Sequence, residues 1–198
     1  VHNQVRVCSN GYLTFGTGRS EWINAPIPNP SDPNSLIAPF WDDLMPGTAG
    51  RVYYYYDEAN NQFIVEYKNM SQWGSTADLT FEVILRPNGT IVYQYKTMTG
   101  DLASATVGIE NDTGTDGLQV VYNAPYIEDG MAIAFAPVGK ILTVSPTSGY
   151  LLPGNHQDVV ATLGDASDVA GEFSLYIYVS ANDPFRPFAA IPVHLVIN

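Results

Sequence analysis

The sequence predicts an all-β protein, and three observations carry this prediction. Apolar and polar residues alternate with period two in nearly every window, most clearly in Leu79–Leu85, as in a strand with one buried face. The 198 residues include 17 glycines, 14 prolines and 13 tyrosines, a composition that suits strands joined by many turns. Because the helical period of 3.6 is nowhere convincing, we expect no helix.

The predicted strands follow one another with turn signals between them. Asn88-Gly89 is a strong hairpin signal, because this pair tolerates positive φ. Residues 16–35 contain four prolines and predict a long ordered loop before the apolar run Leu36–Trp41. In the first 137 residues, strands are expected at 5–8, 12–15, 52–56, 62–69, 78–86, 91–95, 105–110, 117–122 and 131–136.

A boundary between two modules is expected near Pro137-Val138-Gly139. The first module then covers residues 1–137 and the second covers residues 138–198. A module of about 60 residues is small for a domain that folds alone, so we expect it to lean on the first. Its strands are predicted at 141–144, 157–163, 173–180 and 189–197.

The charge balance excludes several classes of partner. The chain has 20 Asp and Glu against 8 Lys and Arg, a formal net charge of −12. Nucleic acid requires a cationic face that this chain cannot build, and an anionic membrane surface would repel it. No apolar run approaches the roughly 20 residues of a membrane-spanning helix, so no membrane insertion is expected. Cys8 is the single cysteine, which excludes a disulfide within the chain.

Five ordered segments of the first module match a pattern that we recognise. They are VRVCSNGYLTFG (5–16), NSLIAPFWDDL (34–44), VYYYYDEANNQFIVEYKN (52–69), LTFEVILRPNGTIVYQY (79–95) and ATVGIENDTGTDGLQVVYN (105–123). Together they resemble the nidogen-like (NIDO) β-sandwich module of exported bacterial proteins, and IAPFWDDL (37–44) is the most specific piece. The resemblance implies a secreted, extracellular or cell-surface module that sits beside catalytic or adhesive domains and has no chemistry of its own.

Relatives of this module carry further strands before the turn at Ser9-Asn10-Gly11, whereas only Val1–Gln4 come before the first strand here. We therefore expect N-terminal strands of the sandwich to be missing. Two explanations stay open: the chain is a fragment, or another chain donates the strand. A sandwich that lacks one strand exposes backbone donors and acceptors with which an added strand can pair.

The second module carries its own resemblance. Its two segments are ILTVSPTSGYLLPGNHQDVVATL (141–163) and GEFSLYIYVSANDPFRPFAAIPVHLVIN (171–198). They resemble a short immunoglobulin-like repeat of the ASPM–SPD-2–Hydin type, which recurs as a spacer in secreted and surface proteins. The resemblance implies an architecture of two β-sandwiches, the second a short immunoglobulin-like one. Its marker residues belong to turns and edge strands, so they indicate fold and no ligand.

Two pairs of aspartates are candidate metal ligands, because hard cations prefer carboxylate oxygens. Asp42 and Asp43 are adjacent, and the competing interpretation is that one caps a turn while the other is solvated. Asp112 and Asp116 stand at positions one and five of a Ca²⁺-loop pattern, but position twelve is Asn123 where a Glu is wanted. A tight turn is the alternative there. We expect no cofactor, with Ca²⁺ as the candidate to test.

Aromatic residues supply the candidate ligand-binding surface. Four consecutive tyrosines, Tyr53–Tyr56, must place two rings on each face of their strand. Tyr53, Tyr55 and Trp73 are the proposed binding residues, because aromatic faces supply contact area at low entropy cost. The alternative is that these rings belong to the core, to a contact between modules, or to cross-strand pairs.

The motifs of common enzymes are absent from the sequence. No GxSxG, phosphate loop or GxGxxG occurs, so we expect no enzyme. The expected function is a non-catalytic extracellular module for spacing, adhesion or self-assembly, such as a surface fibre. Residues 1–16 and 189–197 are expected to be sheet edges that contact a protein partner or a neighbouring copy. The alternative is an accessory domain of a secreted hydrolase that binds carbohydrate or protein.

Overall fold

Period-two alternation in the sequence becomes strands almost everywhere in the fold. The computed structural model describes residues 2–137, 142–152, 154–164, 171–183, 185 and 187–197. These residues form strands and no helix, which confirms the all-β class. The strands are β1 Arg6–Cys8, β2 Tyr12–Thr14, β3 Leu36–Trp41, β4 Leu44–Met45, β5 Arg51–Asp57, β6 Gln62–Gln72, β7 Leu79–Leu85, β8 Ile91–Met98, β9 Thr106–Glu110, β10 Gly117–Tyr122, β11 Ala132–Phe135, β12 Leu142–Ser145, β13 Val160–Leu163, β14 Gly171–Ser180 and β15 Phe188–Ile197.

The chain divides into two units, Val1–Phe135 and Ala136–Asn198. The first unit contains two antiparallel sheets. One has the strand order β1-β2-β3-β9-β10, and the other has the order β11-β8-β7-β6 with β4 and β5 both pairing with β6. Strand β6 has 11 residues, so it pairs with β5 along its first part and with β4 at its end. Strand β4 and the last three residues of β6 were not predicted from the sequence.

Apolar side chains from both sheets meet in one core, as a β-sandwich requires. Val65 of β6 lies opposite Val83 of β7, and Tyr67 lies opposite Phe81. The rings of Tyr67 and Phe81 stack with centroids 4.8 Å apart, and Phe40 of the other sheet approaches Phe81 at 6.0 Å. All five side chains are at most 1% exposed, so this interdigitation holds the two sheets together.

Buried tyrosine hydroxyls cross the sandwich and bind backbone carbonyl groups of the other sheet. The hydroxyl of Tyr67 lies 2.9 Å from the carbonyl oxygens of both Cys8 and Tyr12, at the β1–β2 turn. Tyr95 donates to the carbonyl oxygen of Pro39 at 2.7 Å, where the pairing of β3 with β9 is irregular. These contacts align β6 with β1–β2 and β8 with β3.

Tyr93 makes the third crossing, from β8 to β9. Its hydroxyl donates to the carbonyl oxygen of Gly108 at 2.8 Å. Burial is the main cause that raises the pKa of Tyr93, Tyr95 and Tyr67 well above the ordinary value of a phenol. The three hydroxyls therefore remain protonated donors throughout the physiological pH range.

The loop over residues 16–35 covers the outer face of the five-stranded sheet. Ile27 and Ala25 pack with Tyr12 and Trp41 in a second apolar cluster. Side chains of the sheet hold the loop backbone: the hydroxyl of Thr106 donates to the carbonyl oxygen of Ala25 at 2.8 Å, and the indole N–H of Trp41 donates to the loop at 3.1 Å. The long ordered loop expected from its prolines is thus a third layer on this sheet.

The second unit contains two antiparallel pairs among its described residues, β12 with β13 and β14 with β15. The last pair runs in continuous register from Gly171 opposite Ile197 to Ser180 opposite Phe188. The expected boundary residues Val138 and Gly139, and the start of the predicted strand at 141, lie outside the described residues. An immunoglobulin-like sandwich over 138–198 stays a prediction. Within the described part of the chain, no helix has the length and apolar character that spanning a membrane requires.

Removing the Tyr95 hydroxyl tests the tyrosine crossings. In Tyr95→Phe the Pro39 carbonyl oxygen loses its donor inside the core, and the free energy of unfolding should fall by about 1–3 kcal/mol. Urea unfolding followed by fluorescence measures this loss. Tyr122→Phe, at a residue that is 36% exposed, is the matched control and should change stability little. Equal losses in the two variants would contradict a structural role for the buried hydroxyl.

Candidate functional site

The carboxylate of Asp42 joins three separate segments of the first unit. It lies in the turn between β3 and β4, where Oδ1 accepts from the backbone N–H of Asp43 at 2.8 Å. Oδ2 accepts from Nε2 of Gln72 at 2.7 Å and from the hydroxyl of Ser104 at 2.6 Å. Gln72 also exchanges two hydrogen bonds with the backbone of Asp101. The carboxylate thus fixes the end of β6 and the loop before β9.

The Asn10-Gly11 turn binds the same segment from the other side. Backbone N–H groups of Phe40 and Asp42 donate to the carbonyl oxygens of Gly11 and Asn10, both at 3.2 Å. The backbone N–H of Leu44 donates to Oδ1 of Asn10 at 3.2 Å. Gly11 has φ of +74°, and a Cβ there would lie 1.9 Å from the carbonyl oxygen of Phe40, so only glycine fits. The most specific sequence motif, IAPFWDDL (37–44), and the turn within the segment 5–16 therefore bind each other.

Asp43, the second member of the aspartate pair, takes part through its backbone. Its carbonyl oxygen accepts from the N–H of Trp73 at 2.8 Å. Within the described ranges, no group of three or more His, Cys, Asp or Glu side chains is placed to hold a metal ion. Metal binding at Asp42 and Asp43 stays a prediction, and the hydrogen bonds at Asp42 match the turn-capping alternative.

The loop that carries Asp112 and Asp116 joins β9 to β10. Its centre is Asn111, whose Oδ1 accepts from the backbone N–H groups of Thr115 at 3.0 Å and Asp116 at 3.3 Å. This arrangement is an Asx-type turn. Asp112 and Asp116 are exposed and line an open depression of about 640 Å³. Calcium binding here also stays a prediction.

All four consecutive tyrosines of β5 are exposed, on both faces of the strand. Tyr53 and Tyr55 are 51% and 63% exposed and point to the outer face of the sheet, opposite Glu66 and Ile64 of β6. Tyr54 is 78% exposed, although its cross-strand partner on β6 belongs to the core. The sequence analysis singled out Tyr53 and Tyr55 and missed Tyr54.

The position of β5 in the sandwich explains this exposure. Strand β6 packs over the β1–β2 turn through Tyr67, and β1 is the edge of the five-stranded sheet. Strand β5 extends the six-stranded sheet one strand beyond β6, past that edge. Within the described residues, no strand of the five-stranded sheet extends beneath β5, and the side chains of its inner face, Val52, Tyr54 and Tyr56, are 37%, 78% and 51% exposed.

Trp73 lies apart from the other two proposed binding residues. It is 71% exposed, in the turn that follows β6. Tyr53 pairs with Glu66 of β6, and Glu66 comes seven residues before Trp73 in the sequence. Seven residues of strand span roughly 20 Å. The fold therefore brings Tyr53 and Tyr55 together and leaves Trp73 at a different end of the sheet.

A carboxylate pair on the outer face of the six-stranded sheet was not found from the sequence. Glu66 of β6 lies directly opposite Glu82 of β7, beside an open depression of about 430 Å³ that Lys96 also lines. Burial, followed by the negative charge of Glu66, raises the pKa of Glu82. Only the strand register reveals the pair, because neither glutamate by itself shows which residue lies opposite it. Like charges directly opposite each other destabilise a sheet.

The fold and these contacts define the class of the first unit: a β-sandwich module in which polar residues hold loops to sheets. The NIDO-related family matches residues 1–142, and the chain belongs to this family. No curated protein and no solved structure gives a significant match to the chain.

Asp42→Asn tests whether the aspartate holds the fold. In the variant an NH₂ group takes the place of one carboxylate oxygen and cannot accept the hydrogen bonds that this oxygen accepts in wild type. The free energy of unfolding should therefore fall by about 1–3 kcal/mol. Asp43→Asn is the matched control and should be nearly neutral. Thermal unfolding with and without Ca²⁺ measures the stability of both variants and also detects ion binding, since a bound ion would raise the melting temperature. A Ca²⁺-dependent rise that Asp43→Asn abolishes would contradict the purely structural role and support the metal prediction.

Glu82→Gln tests the carboxylate pair through its pH dependence. Because the folded state raises the pKa of Glu82, it binds the proton more tightly than the unfolded chain. Stability is therefore lost as pH rises above the ordinary glutamate pKa of about 4.3. The variant should melt a few degrees higher than wild type at pH 7 and equally near pH 3.5. Glu58→Gln, in the exposed turn after β5, removes the same charge and should leave the melting temperature unchanged; an equal gain there would contradict the pairing.

Proposed function

We propose that the chain is a non-catalytic, extracellular-type structural module that acts in spacing, adhesion or self-assembly through the edges of its sheets. Membership of the NIDO-related family supports the extracellular and structural parts of this proposal. The acidic surface, with a net charge of −12, supports a solvated module rather than one that binds polyanions. A secreted or cell-surface parent protein is the setting in which such a module would act.

The observation that carries the proposal is the edge strand β5. It has seven residues, Arg51–Asp57, and pairs only with β6 among the described strands. An edge strand presents unpaired backbone N–H and C=O groups to any strand that approaches. Natural sheets protect such edges with prolines, bulges or charges in mid-strand, and the interior of β5, Val52–Tyr56, contains none of these.

The polar contacts support a role without catalysis. The Asp42 carboxylate accepts three hydrogen bonds from within the fold. A general base or nucleophile must reach a substrate atom, and a carboxylate committed to three internal donors is better suited to holding loops in place.

For the second unit we propose an immunoglobulin-like spacer. The two antiparallel pairs β12–β13 and β14–β15 support this proposal, because such sandwiches are built from antiparallel strands. The period-two alternation of the β14–β15 sequences supports the same architecture. This module would separate the first unit from the rest of a parent protein.

The exposed rings of Tyr53 and Tyr55 favour a second candidate function, a carbohydrate- or protein-binding accessory module. They share the outer face of β5 at alternate positions, about 7 Å apart along the strand. Exposed aromatic rings bind flat apolar surfaces, including sugar faces, at low entropy cost. The separation of Trp73 from this pair makes the continuous surface small.

Sedimentation velocity over a wide concentration range tests the proposed function. Wild type should sediment increasingly faster than a monomer as its concentration rises, because free edges add strands. A lysine at an edge should oppose this association, so Tyr54→Lys at β5 or Val7→Lys at β1 should reduce it. Leu118→Lys at β10, which is 61% exposed, compares a third edge that contains a bulge.

Two outcomes would contradict the proposal. A wild-type chain that remains monomeric at every concentration would remove assembly through edges. Binding of that monomer to a glycan array, lost in Tyr53→Ser and retained in Tyr54→Lys, would instead establish the binding module. Circular dichroism of each variant confirms that it is folded.

A further inference from the structure

We propose that β5 pairs antiparallel with β5 of a second copy of this chain, about a two-fold axis at Tyr54. The inference rests on the proposed function and names its partner and register. The two six-stranded sheets would become one continuous sheet that crosses the dimer. Three features of β5 favour a second copy as the partner: its long and regular free edge, the charges at its two ends and its aromatic rings.

Strand β5 is the best-formed free edge of the first unit. Strands β1, β4 and β11 have three, two and four residues. Strand β10 has six residues, but a register shift interrupts its pairing between Gln119 and Val121. Strand β5 pairs with β6 over seven consecutive residues without a shift. A second strand can therefore pair with its other side along its full length.

The two-fold axis restricts the register. It keeps the outer faces of both copies on the same side, so residues that face each other across the new pair lie on the same face of the strand. With Tyr54 opposite Tyr54 of the second copy, Arg51 lies opposite Asp57 and Tyr53 lies opposite Tyr55. A shift of two residues in either direction separates Arg51 from Asp57.

This register places opposite charges together at both ends of the new pair. Within its own chain, Arg51 lies opposite Lys68 of β6, a like charge that opposes the sheet. Asp57 accepts hydrogen bonds from Asn60 and Gln62, which hold the carboxylate at the end of the strand. In the dimer each Arg51 gains an acidic neighbour, and symmetry makes the contact twice.

The aromatic rings continue across the axis on both faces. On the inner face, Tyr54 stacks on Phe63 of β6 with centroids 6.1 Å apart. The second Tyr54 would lie at the cross-strand spacing of about 5 Å between Cβ atoms. Phe63, Tyr54 and their symmetry mates then form one ladder over this exposed part of the sheet. On the outer face, two Tyr53–Tyr55 pairs form beside the charges.

Charge reversal tests the register. In Arg51→Asp the new aspartate would face Asp57 of the partner, and in Asp57→Arg the new arginine would face Arg51. Each single variant should raise the dimer Kd about tenfold, because two attractive contacts become repulsive. The double variant restores opposite charges with their positions exchanged, and its Kd should return to within about threefold of wild type. Sedimentation equilibrium measures all four.

The controls separate pairing from net charge and from misfolding. Asp57→Arg makes the chain two units less negative than −12, so a weaker dimer cannot come from overall repulsion. Glu58→Arg makes the same change one residue beyond the strand and should not weaken the dimer. Circular dichroism and melting temperature verify folding, and rescue by the double variant excludes simple damage to the turn that Asp57 caps.

The outcomes separate this inference from the proposed function. Association that survives both single variants but is lost in Val7→Lys would overturn β5 self-pairing and leave assembly through β1 standing. Wild type that is monomeric throughout would overturn both. A mixed dimer of wild type with the double variant should have a Kd about tenfold above that of either parent dimer, since like charges would then face each other at both ends; a mixed dimer of wild-type affinity would overturn the register.

Discussion

Three buried tyrosine hydroxyls determine how the two sheets of the first unit lie on each other. A buried hydroxyl or carbonyl group without a partner destabilises the fold by a few kcal/mol. Tyr67, Tyr93 and Tyr95 each donate to a backbone carbonyl group of the opposite sheet. One acceptor belongs to the β1–β2 turn, one to β3 and one to β9. A slip of either sheet would leave all three hydroxyls unpaired, so the rest of the sandwich depends on this alignment.

The sequence motifs that resemble the NIDO module serve the same purpose. Asn10 and Gly11 bind the backbone around Asp42, and Asp42 in turn binds Gln72 and Ser104. These residues connect the first turn, the β3–β4 turn, the end of β6 and the loop before β9. Asn10, Gly11 and Asp42 therefore act through contacts between loops that hold the fold together. Family membership therefore identifies the fold, whereas the ligand and the partner depend on surface residues.

The surface acquires its distinctive feature from the geometry of the core. Because Tyr67 places β6 over β1–β2, the strand beyond β6 extends past the edge of the other sheet. Its tyrosines are then uncovered on both faces, and its outer backbone edge is open to another strand. The alignment that stabilises the sandwich thus also creates the edge on which the proposed assembly depends. A strongly acidic chain resists non-specific association. In the proposed dimer, one register that pairs opposite charges and aromatic rings would make association at this edge specific.

The sequence alone determined the all-β class, most strand positions and the ordered loop over 16–35, because period-two alternation and turn residues are local signals. It also pointed to the four tyrosines of β5. Only the tertiary structure decided that Tyr54 is exposed on an inner face, that Trp73 lies apart from Tyr53, and that Glu66 faces Glu82. Each of these facts depends on which strands are neighbours and on where a sheet ends. Such long-range pairings have no signal in a single strand, which is why alternation could not distinguish the buried Tyr67 from the exposed Tyr54.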